Sequence, residues 1–286
     1  MLFIRDYEKL RRYCIKFGND SAMGENMLDN HLSKYIEDLS ENVDFYNWYK
    51  KQELPNKLYK YRSFNQYSKD NIENNTLYYS NPLNFNDPYD CSCDFQQKEI
   101  EDENGIVFVD KDIIITAIKD NLRICSLSER NDSLPMWAHY SDNHQGICIE
   151  YDLTDIDDKT MLSYLYPMFY TNDLIKITAN FAKKHMFFIS NIIAMYKNED
   201  WEYEKEWRFI LPFTESFIKD KKFNMVNSTM LSPKISAIYI GSKADYKTEQ
   251  ELRDLIADRD IKLYKMKENS NSYNLIPEEL QRGEKR

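Results

Sequence analysis

Glycine is so scarce in this chain that it rules out whole classes of fold. Only six of the 286 residues are glycine, at positions 18, 24, 105, 146, 241 and 283. That is about 2%, against a usual ~7%. No two of them have the spacing of GxGxxG or GxxxxGK. Both of those phosphate cradles need a backbone that approaches the ligand closely, which glycine permits and other residues obstruct. A doubly wound dinucleotide-binding sheet and a P-loop are therefore excluded. Any nucleotide this chain handles must be held by side chains on a different fold.

The remaining composition is that of a folded globular chain. Apolar residues make up 42%, with 22 Tyr and 15 Phe, which is ample for a core. No apolar run approaches 18 residues, so no membrane span is expected. The opening MLFIRDYEKLRRYC lacks the apolar stretch of a signal peptide, and five cysteines is an odd count. Together these favour reduced thiols and a cytoplasmic location. A net charge of −10 argues against a protein that coats long nucleic acid.

Residues 1–54 are expected to be a helical extension and 55–286 an α+β domain. Leu2, Tyr7, Leu10, Cys14 and Phe17 recur at helical steps. A second helix is expected over Met27–Leu39, and a third near Asp44–Lys51 ends before Pro55. Strands are expected at LYKYRS (58–63), TLYYS (76–80), QGICIEYD (145–152), SYLYPMFY (163–170), WEYEKEWRFIL (201–211), ISAIYIG (235–241) and IKLYKM (261–266). Helices are expected at 65–74, 110–122, 173–197 and 245–258, and NPLNFNDPYD (81–90) has the composition of a loop. Strands and helices mix irregularly, which suits an α+β fold and not a regular βα alternation.

Three segments carry polar groups where chemistry is conceivable. On a strand over 201–211, period two places Glu202, Glu204, Glu206 and Arg208 on one face. Carboxylates on alternate positions repel one another and shift their titration, as site carboxylates do, although a solvated polar edge has the same pattern. Ser80 precedes the turn FNDPYD, with Phe85, Asn86, Asp87 and Asp90. Trp137, His139 and Tyr140 can stack a planar ligand or be half-buried core. His139, His144 and Cys148 lack the spacing of a metal site, and Cys91-Ser-Cys93 is not a CxxC, so no metal is assigned.

LYKYRS, LYYSNPLNFNDPYD, SLSERNDSLPMWAHYSDNHQGICIEYD and WEYEKEWRFI, in that order, resemble the signatures of the bacterial domain-of-unknown-function family 2971. The resemblance spans roughly 57–241 and leaves the N-terminal helices outside. The same order is similar to that of ADP-ribosyltransferases, whose NAD cleft draws on a first strand, a second strand and a late Glu-x-Glu strand. That likeness implies a split β-sheet core with flanking helices. It places Lys60-Tyr61-Arg62 on the first strand, Tyr79-Ser80 on the second, and Glu204 and Glu206 on the late one.

The resemblance implies NAD as substrate, with transfer to a protein or nucleic-acid acceptor or hydrolysis. Cleavage of the nicotinamide–ribose bond passes through an oxocarbenium-like state. Glu206 is expected to stabilise that charge and Glu204 to activate the acceptor. Lys60 or Arg62 would meet the pyrophosphate, and Tyr61, Trp137 or Tyr140 the ring. Arg208 belongs either to the site or to a structural ion pair holding the glutamates apart. A toxin or anti-phage role, with a regulatory protein partner, is the expectation by analogy. Two alternatives stand beside it. One is a metal-dependent nuclease or phosphoesterase built from Asp87, Asp90, Glu204 and Glu206. The other is a non-enzymatic sensor of a ligand or phage protein.

Overall fold

The computed structural model describes residues 54–95, 99–102, 105–108, 110–154, 161–162, 164–177, 186–212 and 229–281. The helices expected within 1–53 lie outside the described residues.

An eight-stranded sheet organises the rest. Its strands are β1 (Lys57–Arg62), β2 (Leu122–Ser128), β3 (Ile147–Asp152), β4 (Leu165–Pro167), β5 (Glu206–Pro212), β6 (Lys234–Ile240), β7 (Lys262–Glu268) and β8 (Leu275–Glu279). Across the sheet they run β8-β7-β6-β3-β1-β2-β5-β4. Neighbours are antiparallel except β6 and β7, which are parallel. The described helices are α1 (Gln66–Asn74), α2 (Lys111–Asp120), α3 (Leu134–Tyr140), α4 (Met186–Ile193) and α5 (Tyr246–Leu255). The expected mix of strands and helices forms, and the sheet is largely antiparallel. No described helix is long and apolar enough to cross a membrane.

Central strands are apolar on both faces because helices cover both. On one face Leu58, Ile149, Leu127, Phe209 and Ile238 meet Ile72 of α1 and Leu252 of α5. On the other, Ile124 and Ile210 meet Ile115 and Ile118 of α2 and Ile189 and Ile192 of α4, while Tyr61, Cys148 and Tyr239 meet Met136 and Trp137 of α3. The caps follow local chemistry. Asn65 and Ser68 form a reciprocal capping box on α1, and Asp245 accepts the Thr248 N–H at the start of α5. Cys91, Cys93, Cys125 and Cys148 are buried free thiols.

The sheet has one weak seam. β1 is registered with β3 over six positions and β2 with β5 over seven, yet β1 and β2 pair only at Tyr59 opposite Ser128. Beyond that pair Lys60 Nζ donates to the Ser126 carbonyl at 2.6 Å, replacing a missing ladder bond. Ser80 makes a two-way backbone bridge to Ile124 farther along β2. The two halves of the sheet are thus joined by one rung and part at their ends.

Gly146, just before β3, lies close against the end of β1 on the side away from this seam. A Cβ there would fall 2.3 Å from the Arg62 carbonyl oxygen, a backbone atom with no flexible end to yield. Gly146→Ala is expected to lower stability by roughly 1–3 kcal/mol in urea unfolding by forcing the end of β1 to shift.

Several expected elements need correction. Trp201–Glu204 is not strand: Glu199–Glu204 forms a 3-10 helix capped by Asn198, Lys205 turns left-handed (φ 44°), and β5 starts only at Glu206. The expected helix 173–197 is interrupted, since Lys176–Ile177 and Tyr196–Lys197 are short strands and only Met186–Ile193 is described as helix. The apolar spacing there reflects burial on several sides rather than one helical face. LPMWAHY is α3, and SYLYPMFY breaks after Pro167. β8 carries only one buried residue, Leu275, and so shows no alternation to read.

Candidate active site

A cavity of about 290 Å³ opens at the β1–β2 seam. β1 contributes Tyr59, Lys60, Tyr61 and Arg62, β2 contributes Ile124 and Ser126–Ser128, and β5 contributes Glu206 and Arg208. Ser80, Phe85, Asn86 and Asp90 come from the segment after α1, Met136 and Tyr140 from α3, and Lys197 and Glu204 from the stretch before β5.

Alternation along β5 sends Trp207, Phe209 and Leu211 to one core and leaves Glu206, Arg208 and Ile210 on the other face. Glu204 reaches the same place by another route. The left-handed Lys205 reverses the chain between the 3-10 helix and β5, turning Glu204 inward, where it is 3% exposed. Glu202 stays at the surface and pairs with Lys205 at 3.0 Å. The Ser128 hydroxyl donates to the Glu204 carbonyl at 2.6 Å, and the Glu206 N–H donates to the Tyr170 hydroxyl at 2.8 Å. The two acidic residues are thus held by their main chain as well as by their side chains.

The buried charges form one chain of contacts. Arg208, 1% exposed, donates from both terminal nitrogens to the two Asp90 oxygens at 2.7 Å each. Its Nε donates to Glu206 Oε1 at 2.7 Å and Nη2 to Oε2 at 3.2 Å. Lys197 Nζ lies 3.1 Å from Glu206 Oε2 and 2.5 Å from Glu204 Oε2, and the Tyr140 hydroxyl donates to Glu204 Oε1 at 2.7 Å. The Phe85 ring stands 5.5 Å from the Arg208 guanidinium and the Trp201 ring 4.8 Å from the Lys197 ammonium.

These contacts separate the two carboxylates chemically. Burial raises the Glu204 carboxyl, and the neighbouring Glu206 charge raises it further, so it stays above the ordinary glutamate range despite Lys197 and Tyr140. Burial opposes ionisation of Glu206 too, but Arg208 and Lys197 outweigh it and hold that carboxyl far below the ordinary range. Burial would lower Lys197, yet Glu206 and Glu204 keep it above its usual value. Tyr140 is pushed up by burial and by Glu204.

On the β1 side of the cavity stand two cations. Lys60 donates to the Ser126 carbonyl and Arg62 to Asn71 Oδ1 at 3.2 Å, and neither has a carboxylate partner among the described residues. Four cationic and three carboxylate side chains line the cavity. An anionic ligand is favoured along the β1 side.

Of the residues expected from sequence, Lys60, Tyr61, Arg62, Ser80, Asn86, Tyr140, Glu204, Glu206 and Arg208 line this one cavity. Asp87, Trp137 and His139 are not among its lining residues. Trp137 is 0% exposed, its indole N–H donates to the Asn131 carbonyl, and Tyr61 packs edge-on against its ring, so it is core and offers no face to a ligand. His139 is exposed on α3. Asp87 accepts the Tyr89 N–H, the turn role its composition implies, and its Oδ2 has no partner among the described residues. Tyr61 spends its hydroxyl on the Arg130 carbonyl. Arg208 lines the cavity and forms an ion pair, but with Asp90 and Glu206 rather than between the two glutamates.

Phe85 of the FNDPYD turn also lines the cavity, whereas Lys197 and Tyr170 were not expected. The one available signal for Lys197 was a lone charge closing the apolar run IIAMY. As for a metal, Asp90, Glu204 and Glu206 are each engaged by Arg208 or Lys197, so protein cations occupy the oxygens a metal would need. Among the described residues no group of three or more His, Cys, Asp or Glu is arranged to hold one.

A protein-family model described as a protein of unknown function (DUF2971) matches residues 136–209. The resemblance noted in the sequence holds for that stretch, which contains Tyr140, Lys197, Glu204, Glu206 and Arg208. No curated protein and no solved structure matches the chain.

Proposed function

We propose that the seam cavity is the centre of an NAD-dependent ADP-ribosyltransferase or NAD glycohydrolase. The observation that carries the proposal is a pair of adjacent carboxylates with opposite titration, facing cations that no described carboxylate neutralises. Carboxylates whose environments push their ionisation apart are suited to divide acid–base from electrostatic work. A sheet joined across its middle by a single rung is consistent with the split core of that fold.

Each group then has a role that its surroundings suit. Glu206, ionised at all ordinary pH values, stabilises the positive charge that develops on the ribose as the bond to nicotinamide breaks. Glu204, raised above the ordinary glutamate range by burial and the Glu206 charge, takes the proton of the incoming nucleophile, either water or an acceptor group. Lys60 and Arg62 meet the diphosphate, Arg62 with a fork that matches phosphate geometry. Phe85, Met136 and Tyr140 supply apolar contact for a ring. A cavity of about 290 Å³ sits at the small end of ligand pockets and takes the nicotinamide–ribose end, with the remainder lying along β1. The nuclease reading is weaker, because Asp87, one of its four carboxylates, lies off the cavity and serves a turn.

The test is incubation of the full chain with NAD labelled separately in its nicotinamide and adenine halves, with and without cell lysate. Nicotinamide release is expected in both. Adenine label in a macromolecular fraction indicates transfer, and its confinement to small molecules indicates hydrolysis. Absence of nicotinamide release in either condition between pH 5 and 9 would remove the assignment.

A further inference from the structure

We propose that Lys197 is a positioning residue whose single ammonium ties the ends of Glu204 and Glu206 together at the floor of the cavity. Its distances of 2.5 and 3.1 Å to one oxygen of each carboxylate make it the only group among the described residues bonded to both. Glu204 and Glu206 are separated by one residue in left-handed conformation, which turns Glu204 inward, and the two carboxylates then meet at one ammonium. Two buried carboxylates turn away from one another unless a positive charge lies between them. Lys197 is placed to be that charge, being 7% exposed at the side chain and fixed at its own end by the pairing of Tyr196–Lys197 with Phe169–Tyr170. The Trp201 ring, 4.8 Å from the ammonium, closes its remaining side.

The other charged and titratable groups facing this pair are Arg208, Asp90, Tyr170 and Cys125 on the Glu206 side, and Tyr140 and Tyr203 around Glu204. Arg208 is already committed to Asp90 and Glu206, and it has no hydrogen bond to Glu204 among the described residues. Tyr140 touches Glu204 alone. Removing Lys197 therefore leaves Glu206 with its guanidinium but strips Glu204 of its cation. Glu204 should then hold its proton to higher pH and lose its fixed orientation.

The consequence for turnover rests on the NAD reading; the tie between the carboxylates does not. The experiment compares the full chain with Lys197→Met and Lys197→Arg, using ¹³C-labelled glutamate carboxyls. In Lys197→Met the Glu204 titration is expected to move up by at least about one pH unit, and in Lys197→Arg to lie nearer the parent. For NAD consumption, kcat should fall about tenfold or more in Lys197→Met while KM stays within about threefold. The acid limb of the pH profile should rise with the Glu204 midpoint, and Lys197→Arg should restore part of it. A folded Lys197→Met with an unmoved Glu204 titration overturns the proposal. If the parent does not turn over NAD, the functional reading fails and the carboxyl titration alone decides. If Lys197→Met does not fold, the Lys197 ammonium ¹H–¹⁵N signal of the parent serves instead. That signal should shift in both Glu204→Gln and Glu206→Gln; a shift in only one of them overturns the tie.

Discussion

An Arg208→Met variant is expected to lose about 3–5 kcal/mol of folding stability, read as a lower urea midpoint at unchanged slope. Burying the guanidinium carries a large desolvation cost, which Asp90 and Glu206 outweigh, so that Arg208 is held well above its usual range. Methionine fills similar volume without charge, so the loss does not come from a cavity. It comes from Asp90, nearly inaccessible and left with a charge that nothing opposite neutralises, and from Glu206, left with one cation in place of two. Lys197 would still serve Glu206, but Asp90 would have no cation. Adding Asp90→Asn should therefore recover a substantial part of the loss, so the two substitutions are strongly non-additive. Arg208→Lys keeps the charge but not the fork and should fall between. Additive losses from Arg208→Met and Asp90→Asn would mean that the two groups do not depend on each other, and the buried network would not be the support of the cavity.

How far such a site can be read from sequence depends on the range of the interaction. β1, β3 and β6 are short β-rich runs bounded by turn residues, and they form close to where expected. Glu206 and Arg208 share a face because β5 is regular from Glu206 onward. Glu204 joined them in the sequence reading for the wrong reason. Period two placed it there, whereas the chain brings it in through a 3-10 helix and a left-handed lysine, which strand patterning does not encode. Asp90 lies in a turn whose composition explains Asp87 fully, and its role comes from Arg208, 118 positions away. Lys197 was hidden by apolar spacing that mimics one long helix. The seam, which makes room for the cavity, was carried only by the resemblance. It depends on β1 and β2 sharing a single rung, a long-range fact with no local signature.

On the NAD turnover proposed for the seam cavity, Glu204→Gln is expected to reduce the rate by roughly 10²–10⁴-fold with KM little changed, because glutamine preserves the shape of the side chain and cannot take a proton. The pH dependence fixes the sign. Glu204 titrates above the ordinary glutamate range, so turnover in the parent should climb with pH through a midpoint in that raised region, and the variant should lose this limb. Stability separates the two glutamates. A carboxyl raised in the folded state contributes stability fully below its unfolded value and loses that contribution as pH rises through the folded value. Ionised Glu204 is thus no asset at neutral pH, and Glu204→Gln should stay within about 1 kcal/mol of the parent. Glu206 is depressed, so its contribution is present above the ordinary glutamate value and is lost as pH falls through the folded value. Glu206→Gln should consequently lose stability at pH 7 as well as turnover, and should weaken the acid dependence of unfolding below about pH 4. Turnover that survives Glu204→Gln, or an acid limb that persists in it, would take the proton-transfer role from Glu204 and leave the cavity without its general base.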